Sequence, residues 1–347
     1  MRFDLMIGGI PLRDMADLAR DAAAAGFSGI VVTETGRSAY LGCGAAALAA
    51  EIDILTGIAV AFPRSPMVTA QVAWELAEAT QGRFRLGLGT QVRAHIERRF
   101  GAEFDPPGPR LKEYVETLRE LFRAFRGEAP LQHDGKYWQL SLLPTMWAPG
   151  RIDAPNPAID VAAVGPWMLR MAGEVADGVH VHPLNTVPYL EQTVLPAVGE
   201  GAAKAARSID DLTMIVPTFA APGSTSDEQA KWRELARTQV AFYGSTPNYA
   251  FIFEQLGREG TTQKIREHQK KGDVAGMASV IDDDLLAHFC ISGDWGTVAD
   301  GLLERYAGLA HRIVSYFAGR AWQEDRAALG SWGELARDVQ ARGGPHR

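Results

Sequence analysis

The chain has 347 residues, 46% of them hydrophobic and 22% charged, the balance of a globular protein able to bury a large core. Its net charge of −7 argues against a nucleic-acid partner, which would need clustered Lys and Arg; the densest basic run, 264–271, also carries Glu267 and reads as a solvated helix face. Two cysteines without a CxxC, no charged-then-apolar leader and no apolar run longer than AAALAA point to a reducing, cytoplasmic setting with no membrane partner.

Phe3–Gly8 reads as a first strand. Pro11 opens a helix in which Leu12, Met15, Leu18, Ala19 and Ala22 share a face, and Gly26 ends it. A second strand spans 27–35 and ends in Thr33, Glu34 and Thr35, before an alanine-rich helix at about 41–50. Residues 52–101 then hold strand, helix, strand and polar loop in one piece. ILTGIAVA (54–61) is apolar enough to be buried on both faces. Pro66 suits a helix start, and Val68, Val72 and Leu76 are spaced as its apolar stripe. RFRLGLG (83–89) alternates Phe84, Leu86 and Leu88 with Arg83 and Arg85, and runs into TQVRAH. An amphipathic helix is expected over 107–127, with Leu111, Val115, Leu118, Phe122 and Phe125 on one face.

The alternation breaks at 128–157, where Asp134-Gly135 signals a hairpin turn. An insertion of this length caps a site or fills a dimer contact. Strands resume at 157–165, 177–185 and 212–221, each followed by helix signals. A second, largely helical insertion covers about 222–295. A helix follows with Val298, Leu302, Tyr306 and Leu309 as its buried face, then an eighth strand over 312–319 and a polar tail of some twenty residues that is expected to fray. Eight strand signals alternating with helices give an α/β, (β/α)8 TIM barrel over 1–347, with insertions after the fourth helix and the seventh strand. No GxGxxG follows the first strand, as a doubly wound dinucleotide fold would want.

Barrel chemistry sits at the C-terminal strand ends. Gly165-Pro166 joins a strand to a helix whose N-terminal amides favour a phosphate or carboxylate, or it simply makes the turn. His180 and His182 share one face of a strand, a spacing found in metal sites, but no further ligand pattern such as HExxH accompanies them, so no metal is expected. Glu34, Thr90, Gln91, His95 and His182 form a polar set from different strands. Glu34 is a base or a hydrogen-bond anchor, and His95 is either in the site or part of an ion-pair surface with Arg93, Glu97, Arg98 and Arg99. Tyr137, Trp138, Trp147, Phe242, Tyr243, Tyr249 and Phe251, all in the insertions, suit an apolar pocket or a dimer interface.

LTGIAVAFPRSPM, GRFRLGLGTQVRAHIERRFG, AAVGPWMLRMAGEVADGVHVHP, FYGSTPNY and IDDDLLAHF with GTVADGLLERYAGLAHRI together resemble the luciferase-like monooxygenase superfamily, in its coenzyme F420 (deazaflavin)-dependent oxidoreductase branch. The resemblance implies a barrel with the cofactor at its C-terminal mouth and a non-prolyl cis peptide at Gly57–Ile58 behind the ring. It implies ring contacts from Thr90 and His95 with Gln91 and Val92 nearby, a phosphate site at Val164, Gly165 and Pro166, and help from His182 and Pro183. Glu34, His95 and His182 are the candidate catalytic groups. Two departures stand out: no histidine follows the second strand, where the chain reads Thr33 to Ser38, and Val92 occupies the place of a glutamate acid found in some sugar-phosphate-oxidising relatives. The implied function is hydride transfer between coenzyme F420 and a small-molecule substrate, by a homodimer. The alternatives are an FMN- and dioxygen-using monooxygenase, a non-catalytic flavin- or deazaflavin-binding protein, and a metal-dependent hydrolase resting on His180 and His182.

Overall fold

The computed structural model describes residues 1–344; the last three residues of the expected tail lie outside the described residues. Eight parallel strands close on themselves: β1 (Arg2–Gly8), β2 (Gly29–Thr33), β3 (Asp53–Thr56, resuming as Ala59–Val60), β4 (Phe84–Gly89), β5 (Ala158–Ala163), β6 (Gly178–Val181), β7 (Thr213–Pro222) and β8 (Arg312–Ser315). β8 pairs with β1 through Arg2–Arg312, Phe3–Ile313 and Asp4–Val314, so no edge strand remains in the ring. The expected (β/α)8 barrel is present, with helices packed outside the strands.

Outward strand residues such as Phe3, Leu5, Ile30, Ile54, Phe84, Leu86, Ile159 and Val179 are buried under those helices. The inward positions differ. Val31, Leu55, Ile215 and Val314, with Met6, make a small apolar cluster inside the ring. Nearer the N-terminal ends lies a charged plug. The Arg312 guanidinium donates to Asp4 Oδ2 at 2.7 Å and Oδ1 at 2.6 Å, and to Asp53 Oδ2 at 2.8 Å; Arg2 also pairs with Asp53. Arg85 grips Asp160 through two bonds, at 2.9 and 2.5 Å. Glycine makes room for the plug: a Cβ on Gly29 would lie 2.7 Å from Asp4 Oδ1 and 2.8 Å from Arg312.

Three sequence expectations change. Of the expected stripe on the helix Pro66–Ala79, Leu76 is buried, Val72 is half-buried and Val68 is exposed; Thr69, Ala70, Ala73, Trp74 and Ala77 make up the rest of the buried face, because small residues let the helix sit close to the barrel. In the second insertion a short strand, Cys290–Gly293, extends the sheet by pairing with Phe219–Pro222 at the end of β7. The polar tail contains a helix, Leu329–Arg342, that buries Trp332, Leu335, Ala336 and Val339; Gln340 donates to Gly26 O at 2.8 Å and Trp332 meets Trp295 edge-on at 5.6 Å. Its apolar residues are sparse but fall on one face, and the first helix covers them.

The first insertion forms the signalled hairpin, His133–Asp134 against Gln139–Leu140. It is docked on the helix Pro107–Phe125 by Glu113, whose carboxylate accepts the backbone N–H groups of Lys136, Tyr137 and Trp138 at 3.0, 2.6 and 2.8 Å. Tyr137 and Trp138 pack on that helix, against Arg110 at 4.8 Å and Tyr114 at 5.1 Å.

Candidate functional site at the C-terminal mouth of the barrel

The mouth has two dissimilar sides. On the β2–β4 side, the Gly57–Ile58 peptide is cis and interrupts β3. Ile58 leans over β4: a Cβ on Gly89 would lie 2.8 Å from Ile58 Cδ1, so a side chain there would displace it. Beneath Gly57, a Cβ would stand 3.3 Å from His180 Cε1. Thr90 follows at the end of β4 and is half-buried; its hydroxyl donates to Gln91 O at 3.1 Å. Gln91 adopts a left-handed conformation at φ 56°, and its side chain accepts from Val92 N at 2.9 Å. His95 is exposed on the short helix Arg93–Arg98, whose Arg93 pairs with Glu97 and Asp105.

Glu34 is fully engaged. Its Oε2 accepts from Val60 N at 2.8 Å and Arg64 at 2.9 Å, and its Oε1 takes a second Arg64 bond at 2.5 Å. The side chain is 5% exposed. Of the two roles open in the sequence, this geometry is the anchor: the carboxylate ties the end of β2 to the resumed part of β3. Glu34→Gln keeps an acceptor for Val60 but loses the charged pairing with Arg64. It is expected to lower stability by about 1–2 kcal/mol in urea unfolding while leaving the pH profile of activity unchanged. A new or lost titration in that profile would make Glu34 a base.

Between the two sides lies the turn after β5. Gly165 is the N-cap of the helix Pro166–Val175, with φ −81°, ψ 157° and no capping side chain. A Cβ on Gly165 would meet nothing within 4 Å, so the space beside this N-cap is open, and no side chain caps the first turn. Val164 is fixed from behind, its carbonyl accepting from the buried Tyr189 hydroxyl at 2.8 Å.

On the β6–β8 side, His182 follows β6 and Pro183 follows it. The Leu184 N–H donates to His182 Nδ1 at 3.0 Å, so Nδ1 keeps its lone pair and the ring is neutral with its proton on Nε2. Its ring packs against Tyr249 at 4.4 Å and edge-on to Tyr243 at 4.8 Å. Asn185 secures this corner from below, donating to His182 O at 2.9 Å and Pro217 O at 2.8 Å. The structure thus brings Tyr243 and Tyr249, from the second insertion, to the mouth. Tyr316, which the sequence did not single out, joins them through a 2.6 Å bond to the Tyr243 hydroxyl. Trp147 is 73% exposed.

His180 sits one inward position below His182 and is buried. Burial lowers its pKa to about 4, with Arg85 and Arg312 acting in the same direction against Asp160. At 3.9 Å the Asp160 carboxylate is too far to hydrogen-bond His180 Nε2 and is already held by Arg85, so His180 is neutral. Burial alone lowers His182 to about 3. Among the described residues no three or more His, Cys, Asp or Glu converge as metal ligands.

A histidine whose folded pKa is depressed costs stability as pH falls below its unfolded value near 6.5. The unfolding free energy is therefore expected to drop between pH 6.5 and 5, by about 2 kcal/mol from His180 alone. Urea midpoints across that window check it, and a flat profile rules it out.

Residues 2–312 match the family model for the luciferase-like monooxygenases. An uncharacterized protein of Mycobacterium tuberculosis is 35% identical over 319 residues, covering 90% of this chain and 93% of its own. The 5,10-methylenetetrahydromethanopterin reductase of Methanopyrus kandleri is 27% identical over 285 residues, 78% of each chain. Among solved structures, the coenzyme F420 dependent tetrahydromethanopterin reductase of Methanopyrus kandleri superposes with a TM-score of 0.78 at 24% identity, covering 96% of this chain and 97% of the other. An FMN complex of a type II Baeyer-Villiger monooxygenase from Pseudomonas putida superposes at 0.66 and 16% identity, covering 99% and 97%, which speaks to the fold alone. No helix among the described residues is long and apolar enough to cross a membrane. With a barrel whose third strand is broken by a cis peptide at its mouth and a family match running from the first strand to the eighth, the chain belongs to the luciferase-like monooxygenase family.

Proposed function

We propose that this protein is an oxidoreductase that binds the deazaflavin coenzyme F420 at the barrel mouth and exchanges a hydride with a small organic substrate. The observation that carries the cofactor reading is the uncapped helix N-terminus at Gly165, open to solvent at the end of β5. It suits a phosphate, and the Ile58-over-Gly89 contact presents an apolar surface on which a flat ring can lie. Val164, Gly165 and Pro166 hold the phosphate. Gly57 and Ile58 support the ring, Thr90, Gln91 and His95 line its edge, and His182 and Pro183 flank it. When bound, the deazaflavin supplies two-electron hydride chemistry. The protein's share is to fix the ring, exclude water and offer a neutral hydrogen-bond donor, His182 Nε2–H, near the reacting atoms. Support for the deazaflavin over FMN comes from relatives named as methylenetetrahydromethanopterin reductases and as a putative coenzyme F420-dependent oxidoreductase, at 25–29% identity.

Fluorescence titration with both cofactors tests this. The deazaflavin is expected to bind at least tenfold more tightly than FMN. Tight FMN binding without deazaflavin binding, together with oxygen uptake during turnover, would select the monooxygenase instead.

A further inference from the structure

The β6–β8 side of the mouth is built without charge. His182, Tyr243, Tyr249 and Tyr316 are all partly exposed, whereas Val181, Gly244 and Ser315 beside them are buried. The polar contacts of the four rings are to one another, to Gln239 and to the Leu184 N–H, with no charged side chain among them. Hydrogen-bond direction sharpens this. The Gln239 side-chain oxygen can only accept, so Tyr316, 3.4 Å away, donates to it. Tyr243 must then donate to Tyr316 across their 2.6 Å contact. Both of those phenolic protons are spent inside the wall. The Nε2–H of a neutral imidazole and the Tyr249 hydroxyl remain: two neutral donors, with no cation among the four side chains. Such a face cannot compensate the desolvation of a phosphate or carboxylate. It does offer flat apolar surface and two neutral donors, of which the His182 imidazole is fixed by the Leu184 bond at Nδ1.

Resting on the reading that hydride chemistry occurs at this mouth, we infer that the face formed by His182, Tyr243, Tyr249 and Tyr316 is the substrate subsite. It takes an uncharged, planar carbonyl compound, aromatic or conjugated, laid against the tyrosines with its oxygen accepting from His182 Nε2. The donor polarises that carbonyl as a neutral group.

Acetophenone and benzoate share a ring and differ in charge, so calorimetric titration of the full chain with each, with and without saturating deazaflavin, is the test. Acetophenone is expected to bind at least tenfold more tightly than benzoate, and Tyr249→Leu to weaken acetophenone at least fivefold. Equal or tighter benzoate binding, no acetophenone binding in either form, or an unchanged affinity in Tyr249→Leu overturns the assignment. A separate fluorescence titration reads cofactor binding. If the deazaflavin fails to bind while the acetophenone preference persists, the cofactor reading falls and the subsite stands.

Discussion

Replacing Arg312 by methionine is expected to cost the folded chain about 3–5 kcal/mol, the largest stability effect of any single substitution considered for this protein. Arg312 is 4% exposed and is the shared partner of Asp4, which is wholly buried, and of Asp53. Burial pushes the Asp4 carboxyl upward, and the Arg312 charge and hydrogen bonds pull it back. Without the guanidinium, two carboxylates face each other inside the barrel with only the largely exposed Arg2 nearby. One of them must take up a proton or stay charged and uncompensated, and either outcome favours the unfolded chain. The companion substitution Asp4→Asn in the Arg312→Met background should cost much less than in the wild type, because the charge it removes no longer has a partner. Urea unfolding of the four proteins closes that cycle. Additive costs would mean that the plug is not a coupled network.

Gly165→Asp is expected to leave stability unchanged or raise it by a few tenths of a kcal/mol, while weakening cofactor binding at least tenfold. Gly165 has the extended backbone of an N-cap and open space where a side chain would go, so aspartate fits without strain and caps the first-turn amides of the helix. Those are the same amides assigned to the phosphate. A fixed carboxylate would occupy them and repel a second anion. Opposite signs in melting temperature and affinity separate this from simple damage to the fold. A stable variant that still binds deazaflavin as tightly as the wild type would move the phosphate elsewhere.

Much of this could be read in the chain. The order of eight strands, the Gly165-Pro166 turn and the buried face of the helix Trp295–Tyr306 follow from local pattern, since periodicity and Gly/Pro punctuation act over a few residues. The cis Gly57–Ile58 bond came from family resemblance, not from any local rule. His182 was visible as a polar residue at a strand end, but its tyrosine partners lie some sixty and more than a hundred residues further along, and no local signal joins them. A carboxylate at a strand end looks the same in sequence whether free or occupied; the Arg64 that holds Glu34 lies thirty residues on, and no local signal joins them.

The sequence alone therefore determined the architecture, and it put its candidate site residues at the strand ends. The direction of each strand's two faces was decided only by closure of the barrel. Alternation of Phe84, Leu86 and Leu88 with Arg83 and Arg85 reads like a strand with one face in water. Here the apolar face lies under helices and Arg85 points into the ring. A period of two says that the faces differ, not which one is enclosed. Enclosure is set by eight strands meeting, and by whether each charge carried inward finds its counter-charge on a strand far away in sequence: Asp160 for Arg85, Asp4 and Asp53 for Arg312.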